Sequence, residues 1–243
     1  GISATKPGRF FKTKIPLSIA FNQIKEPGYV QCDTVAHCGS SLAGPHGNSV
    51  TMTDVHSTWT ENRAIWTKTG RNTLGVIQEI EKALPFTLQG YSADNGGEVL
   101  NRSLCDYFQG KDVRVTRGRA YRKNDNAHVE QKNDTHVRKI FGYERVEHPD
   151  LIKLMNEIYK KYWNPLNNFF IPSLKLKEKT RIGGRIQKKY DSPKTPYQRL
   201  LEDKAVPLHT KERLKIQYKQ LNPVELSQGL EKKLKTFFSQ VKR

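Results

Sequence analysis

Apolar residues alternate with polar ones in some segments of the chain and recur at helical spacing in others. Short runs rich in β-branched and aromatic residues predict five strands, over residues 29–35, 49–54, 58–67, 86–93 and 113–116. Apolar positions three and four residues apart predict helices over residues 72–84, 98–108, 125–141 and 149–166. Three strands followed by alternating helices and strands predict an α/β domain with a mixed five-stranded sheet flanked by helices.

The pattern weakens on both sides of this domain. Residues 1–28 show little periodicity and contain Pro7-Gly8 and Pro27-Gly28, so we expect a linker that follows a missing upstream region. Residues 29–171 form the predicted core domain. Residues 172–243 form a basic C-terminal extension that we expect to be partly helical.

The extension begins with an extended segment and ends with a predicted helix. Residues 173–195 hold eight basic and two acidic residues around Gly183-Gly184. Asn222 is placed to cap a helix, because Pro223 and Glu225 follow at the first helical and capping-box positions. An apolar stripe follows at helical spacing: Leu226, Leu230, Leu234, Phe237, Phe238 and Val241. Such a stripe must be buried, either on the core or on another protomer.

Charge is distributed unevenly along the chain. The net charge of the 243 residues is +18, and residues 172–243 alone carry 19 basic and seven acidic residues. Residues 31–171 are nearly neutral, with 18 basic and 16 acidic residues. A neutral core with basic flanks favours a polyanion partner such as DNA, whose phosphate backbone the basic segments would contact. A solvated basic tail is the simpler alternative.

Three cysteines are too few and too irregularly spaced for a disulfide framework, which favours a reducing cytosol. Cys32-Asp33 and His37-Cys38 have no second pair at metal-ligand spacing, so we interpret Cys32 as a buried strand cysteine rather than a zinc ligand. No apolar run approaches the length of about 18 residues that a membrane span needs, and we expect no membrane partner.

Three acidic residues occur at positions that an α/β sheet would bring together. Asp33 lies in the first predicted strand, Asp94 ends another, and Glu130 lies on a predicted helix; 60 residues separate the first two and 35 the last two. Sites in such sheets form at strand ends and adjoining helices. Carboxylate oxygens are the ligands that Mg²⁺ prefers, and two Mg²⁺ ions are the equipment for phosphodiester chemistry. Taken alone, Asp94-Asn95-Gly96 is also typical of a turn.

These segments resemble the catalytic core of DDE transposases and retroviral-type integrases, and most closely bacterial insertion-sequence transposases. The resemblance rests on the Asp…Asp-x35-Glu spacing and on the segments 33–40, 94–96 and 121–133. It covers most of residues 1–204, including the segment 194–202.

The resemblance implies an RNase H-like fold and DNA strand cleavage and transfer in transposition. It makes Asp33, Asp94 and Glu130 the catalytic ligands of two Mg²⁺ or Mn²⁺ ions. Its expected partners are DNA, as element ends and target, and further copies of the chain on that DNA. It also implies a bacterial, cytoplasmic and nucleoid-associated protein.

The sequence departs from the family pattern in two places. Gly97-Glu98-Val99 stands where such cores usually carry Ser-Glu-Phe. No helix-turn-helix domain precedes the core, and the start at Gly1 leads us to expect a fragment. Two alternatives to an active transposase therefore stay open: a truncated, inactive DNA-binding relic, and an RNase H-like nuclease or resolvase.

Basic, amide and aromatic residues near the acids are predicted to hold DNA. The loop before the Glu130 helix is strongly basic, and the arm after residue 172 provides a second set of cations. Tyr121 is expected to stack on an unpaired base. The predicted DNA-binding residues are Arg117, Arg119, Tyr121, Arg122, Lys123, Asn126, Asn133, Lys175, Lys177, Lys179, Arg181 and Arg185. His128 lies about 200° around the helix from Glu130 and is expected to be a packed or surface histidine.

Overall fold

The computed structural model describes residues 15–17, 23–94, 99–118 and 127–241. Its strands are β1 (Tyr29–His37), β2 (Gly47–Asp54), β3 (Thr60–Ile65), β4 (Gly90–Ala93), β5 (Arg114–Arg117), β6 (Leu176–Ile182) and β7 (Arg185–Tyr190). Its first helices are α1 (Gly70–Ala83), α2 (Arg102–Gln109) and α3, which runs through Ala127–Lys132, a π-helical segment Asn133–Arg138 and Lys139–Phe141. The later helices are α4 (Pro149–Glu157, Ile158–Trp163 and Asn164–Phe170), α5 (Pro196–Glu202), α6 (Leu208–Gln220) and α7 (Pro223–Val241).

The main sheet has the order β3-β2-β1-β4-β5. The first three strands are antiparallel, whereas β4 and β5 run parallel to β1. Short connections suffice for the antiparallel hairpins, and the parallel pairs need the crossovers that α1 and α2 provide. This order and these directions give the predicted RNase H-like fold.

Side chains on the two faces of the sheet belong to two separate hydrophobic clusters. Ile65 packs in the first cluster with α1 and α2, whereas its neighbour Ala64 packs in the second with α3, α4 and α7. Consecutive strand residues point to opposite faces, so the clusters lie on opposite sides of the sheet. Every residue of β2 is buried, as expected for a strand covered on both faces.

Residues beyond 172 take part in this packing. Tyr197 and Leu200 of α5 and Leu214 of α6 are buried in the first cluster. The predicted stripe of α7 packs in the second cluster of its own chain. Gly229 lets α7 approach α4 closely, because a Cβ at this position would lie 2.2 Å from Cε1 of Tyr162. The boundary at residue 172 stays a prediction, but the helices beyond it belong to the packed body.

Several predicted elements differ from the observed ones in extent. The strand predicted over 86–93 is limited to β4, and the helix predicted over 98–108 begins after Asn101, whose side chain accepts from the Leu104 N–H at 3.1 Å. The start of the helix predicted over 125–141 lies outside the described residues. The segment predicted as simply extended, 173–195, contains the β6–β7 hairpin. Helices α5 and α6 were not predicted. No helix in the described part of the chain is long and apolar enough to cross a membrane.

A buried polar chain links β1, β2 and α4. His37 Nε2 lies 2.8 Å from Ser49 Oγ, which in turn lies 2.8 Å from the Tyr159 hydroxyl. The edge of the His37 ring faces Phe141. Burial, followed by the charge of Arg138, lowers the pKa of His37 to about 3, so the ring is neutral in the folded protein.

The His37→Gln variant is expected to be less sensitive to acid than the wild type. An unfolded histidine titrates near pH 6.5, so His37 contributes stability above that pH and loses it as the pH falls toward 3. Between pH 7 and pH 5 this loss is about 2 kcal/mol. Urea unfolding at both pH values measures it, and His209→Gln, at an exposed helical position, is the control. Equal pH dependence in all three proteins would contradict the prediction.

Candidate active site

Asp33 and Asp94 lie on neighbouring parallel strands at the same level. The strand register pairs Cys32 of β1 with Ala93 of β4, and each aspartate is the next residue. Adjacent strands lie about 4.8 Å apart, so the two aspartates emerge side by side. Asp33 is half-buried within its strand, whereas Asp94 is exposed at the end of β4.

Two side-chain hydrogen bonds close to Glu130 tie its helix to β1. The Val129 N–H donates to Gln31 Oε1 at 3.1 Å, and Asn133 Nδ2 donates to Asp33 Oδ2 at 2.8 Å. Gln31 and Asp33 are two residues apart in the strand and therefore face the same side. Glu130 lies between the two helical attachment points, and its side chain is exposed. Gln31 was missed in the sequence, although its strand spacing from Asp33 indicates the role.

The pKa of Asp33 is raised mainly by burial and also by the neighbouring carboxylates. Its Oδ1 accepts the Thr34 N–H at 2.7 Å. Burial, with smaller contributions from the charges of Asp94 and Glu130, raises the pKa of Asp33 to about 6, although the hydrogen bonds from Thr34 and Asn133 oppose the rise. Both other acids therefore lie close enough to act on Asp33.

The donor set suits a hard divalent cation. Carboxylate oxygens supply the ligands, and their mutual repulsion is what a cation would relieve. The buried Oδ1 of Asn133 has no hydrogen-bond partner among the described groups, which leaves a further oxygen beside Asp33. Within the described ranges, however, no three His, Cys, Asp or Glu side chains are grouped closely enough to hold an ion. The pair of metal ions therefore stays a prediction.

Much of the predicted DNA surface near the acids lies outside the described residues. This applies to Arg119, Tyr121, Arg122, Lys123 and Asn126, and also to the unusual segment 97–98. Arg117 closes β5, and its Nε donates to the Ile15 carbonyl at 3.1 Å, so it fixes the segment before β1. Asn133 positions the Asp33 carboxylate. A DNA contact by either residue stays a prediction.

The predicted second arm divides into an anchored base and an exposed ribbon. Lys175 is half-buried, and its Nζ donates to the His56 carbonyl at 2.6 Å. Lys177, Arg181 and Arg185 are exposed on the β6–β7 hairpin, which also carries Lys179.

Two further basic groups lie on α3 near Glu130. His128 is half-buried, and burial, followed by the charges of Lys175 and Lys132, lowers its pKa to about 4. Burial and the charge of Arg199 lower the pKa of Lys132 to about 8. The charge of Lys132 acts on His128, and the sequence interpretation did not single Lys132 out.

The chain is similar to a curated relative and, more distantly, to a solved structure. No family model matches the chain. The chain is 38% identical over 173 residues to the uncharacterized protein y4rM of Sinorhizobium fredii, a match covering 71% of this chain and 49% of the relative. The chain thus spans about half the length of that relative. A cryo-EM structure of a simian T-cell lymphotropic virus intasome, in complex with the PP2A regulatory subunit B56 gamma, is similar with a TM-score of 0.46 and 14% identity, covering 73% of this chain and 71% of that one.

Proposed function

We propose that the chain is the core of a metal-dependent enzyme that cuts and transfers DNA strands. The observation that carries the proposal is the side-by-side position of Asp33 and Asp94, with the charge of Glu130 acting on the same carboxylate. Burial, together with the charges of Asp94 and Glu130, makes the ionised form of Asp33 costly in the folded protein. Such a cost is typical of a functional site.

The chemistry that fits this site is phosphodiester cleavage followed by transesterification. Water attacks the phosphorus, the P–O bond to the 3′ oxygen breaks, and a 3′-hydroxyl and a 5′-phosphate result. That hydroxyl attacks a phosphodiester of target DNA, forms a new P–O bond and releases a target 3′-hydroxyl. Two divalent ions, when bound, would supply charge neutralisation and activation of the attacking oxygen.

The position of each residue indicates its proposed role, as a metal ligand or as a positioning residue. Asp33 is central and would contribute to both ions, while Asp94 and Glu130 would each complete one. Gln31 and Asn133 are positioning residues, because they hold α3 and the Asp33 carboxylate in place.

DNA and further copies of the chain on that DNA are the proposed partners. The net charge of +18 supports a polyanion partner, and affinity for DNA should then fall steeply with salt. A bacterial, cytoplasmic and nucleoid-associated setting is part of the same proposal.

Nicking of supercoiled plasmid tests the activity without knowledge of element ends. With Mn²⁺ or Mg²⁺, the Glu130→Gln variant is expected to nick about 100-fold more slowly than the wild type, because a ligand that stabilises charge in the transition state is lost. Asp134→Asn removes an equal charge from an exposed site on the same helix and should keep the wild-type rate. Chelation of the metal should abolish nicking.

Other outcomes identify the alternatives. If the wild type nicks no faster than Glu130→Gln but binds DNA in a salt-dependent way, the chain is a DNA-binding relic. Faster cleavage of an RNA–DNA hybrid or a junction than of duplex would favour an RNase H-like nuclease or resolvase. Either result would overturn the proposed function.

A further inference from the structure

The β6–β7 hairpin projects from the packed body on a rigid base. At the base, the Lys175 N–H donates to Asp191 Oδ1 at 2.6 Å and the Asp191 N–H donates to the Lys175 carbonyl at 2.9 Å. Arg199 of α5 pairs with Asp191 and donates to the Ser173 carbonyl. All six residues of β7 are exposed. The ribbon is therefore held firmly at one end and surrounded by solvent along its length.

The tip has the geometry of a tight hairpin turn. Gly183 and Gly184 have φ angles of 54° and 82°, as a two-residue type I′ turn requires. A Cβ at either glycine would meet no atom within 4 Å, so the tip lies in open space. This turn fixes the pairing register, which brings Thr180 opposite Gln187 and Arg181 opposite Ile186.

The described cations of the ribbon make no ion pair within the described part of the chain. Residues 176–190 contain six basic residues and one acidic residue. Among the described side chains, no ion pair is made by Lys177, Arg181, Arg185, Lys188 or Lys189. Exposed cations without ion pairs favour a polyanion as their partner.

The two faces of the ribbon differ in chemistry. Residues opposite each other in an antiparallel pair share a face, and so do residues two apart in one strand. Thr180, Gln187 and Arg185 therefore share one face, which also carries Glu178 and Lys189; we call it the amide face. The opposite face carries Arg181, Ile186, Lys188 and Tyr190.

We propose that the ribbon enters the major groove of duplex DNA and reads base edges with its amide face. A major groove about 12 Å wide admits a two-stranded ribbon, and six paired residues span about 20 Å along it. Gln and Arg are the side chains that bind adenine and guanine edges in a bidentate manner, and Thr contacts the thymine methyl group. The inference rests on the proposed function for its ligand, DNA, but not for any catalytic step. It would give the chain a means of selecting its sites.

Selection from randomised duplex DNA tests the inference separately from catalysis. The full chain carrying Glu130→Gln is used with EDTA, so cleavage plays no part. We expect this protein to enrich a defined motif. Arg185→Ala should weaken binding to that motif about 10- to 100-fold more than it weakens binding to random duplex.

Arg181→Ala is the matched control, because it removes the same exposed cation from the opposite face. It should weaken binding to the motif and to random duplex equally. It should also reduce the slope of log affinity against log salt concentration by about one. Thermal unfolding checks that both variants fold, as expected for an exposed hairpin. Replacing motif purines by 7-deazapurines, which lack a major-groove acceptor, should weaken the parent protein but affect Arg185→Ala less.

Three results would overturn the inference: no enriched motif, equal behaviour of the two arginine variants, or indifference to 7-deazapurines. A motif without any nicking activity would overturn the proposed enzyme and leave the ribbon inference standing. Nicking activity without an enriched motif would overturn the ribbon inference and leave the proposed enzyme standing. Preference for single strands or RNA would also count against a duplex-reading ribbon.

Discussion

Replacing Asp33 by asparagine is expected to stabilise the fold while lowering metal-dependent cleavage at least about 1,000-fold, since several kcal/mol of charge stabilisation are lost. The raised pKa of Asp33, about 6, means that its ionised form is unfavourable in the folded protein. Removing that charge should increase the free energy of unfolding by about 1–2 kcal/mol, after allowance for solvent access. The new amide can keep the Thr34 bond through its Oδ1. Its Nδ2 replaces the oxygen that now accepts from Asn133 Nδ2, and a flip of the Asn133 amide lets that Nδ2 donate to Asn133 Oδ1 instead.

The pH dependence of this gain has a definite sign. A carboxyl whose pKa is raised by folding binds more protons in the folded state, so the wild type loses stability as the pH rises from about 4 to 6. The Asp33→Asn variant lacks this loss. Its advantage over the wild type should therefore be full above pH 6 and shrink as the pH falls toward 4.

Thermal and urea unfolding, with and without Mg²⁺, measure both effects. Mg²⁺ at about ten times its dissociation constant should stabilise the wild type by about 1.4 kcal/mol and leave Asp33→Asn unchanged. Asp112→Asn is the control: Asp112 is exposed and has a φ of 56°, which asparagine tolerates. A variant that is less stable than the wild type at neutral pH would show that the Asp33 charge is compensated in a way the proposed site does not include.

The acids could be predicted from sequence, but the contacts that hold them could not. Asp33, Asp94 and Glu130 stand in recognisable local contexts at a recognisable spacing. Gln31 carries no such context, although alternation along β1 places it on the Asp33 side. Its bond to the Val129 N–H depends on how α3 crosses the sheet, and that crossing is set by tertiary packing.

The missed helices show where the periodic signal fails. Helix α6 buries little besides Thr210 and Leu214, so its apolar pattern is too sparse to predict a helix. Helix α5 does have a local signal, because Thr195 and Gln198 form a capping box around Pro196. That signal was present in the sequence and was used only for the family resemblance.

The β6–β7 hairpin was missed because its turn signal is strong but its strand signal is weak. Gly183-Gly184 is a strong turn signal, but the strands beside it carry few apolar residues and show no regular alternation of apolar and polar positions. Strand prediction relies on one face being buried, and this ribbon buries neither. A ribbon that buries no face and is anchored at its base is better explained by a partner than by the stability of the fold.

Phe237→Ala is expected to destabilise the protein by about 3–5 kcal/mol, the usual cost of removing a buried phenylalanine. Phe237 is fully buried in the second cluster, with its ring centroid 4.9 Å from that of Phe141 at an interplanar angle of 73°. The loss combines transfer of the ring to water, the cavity left behind and the edge-to-face contact. Urea unfolding measures it, with Phe238→Ala, the partly buried neighbour on α7, as the matched control at about 1 kcal/mol.

This prediction decides how the basic extension can be studied. If α7 is part of the body, deletion of residues 172–243 would expose both clusters and unfold the protein, so weakened DNA binding by such a deletion would say nothing about cations. Point substitutions on the exposed ribbon then become the valid test of DNA contacts. Equal, small effects of the two phenylalanine substitutions would show that α7 is dispensable for the fold, and the deletion would then be informative.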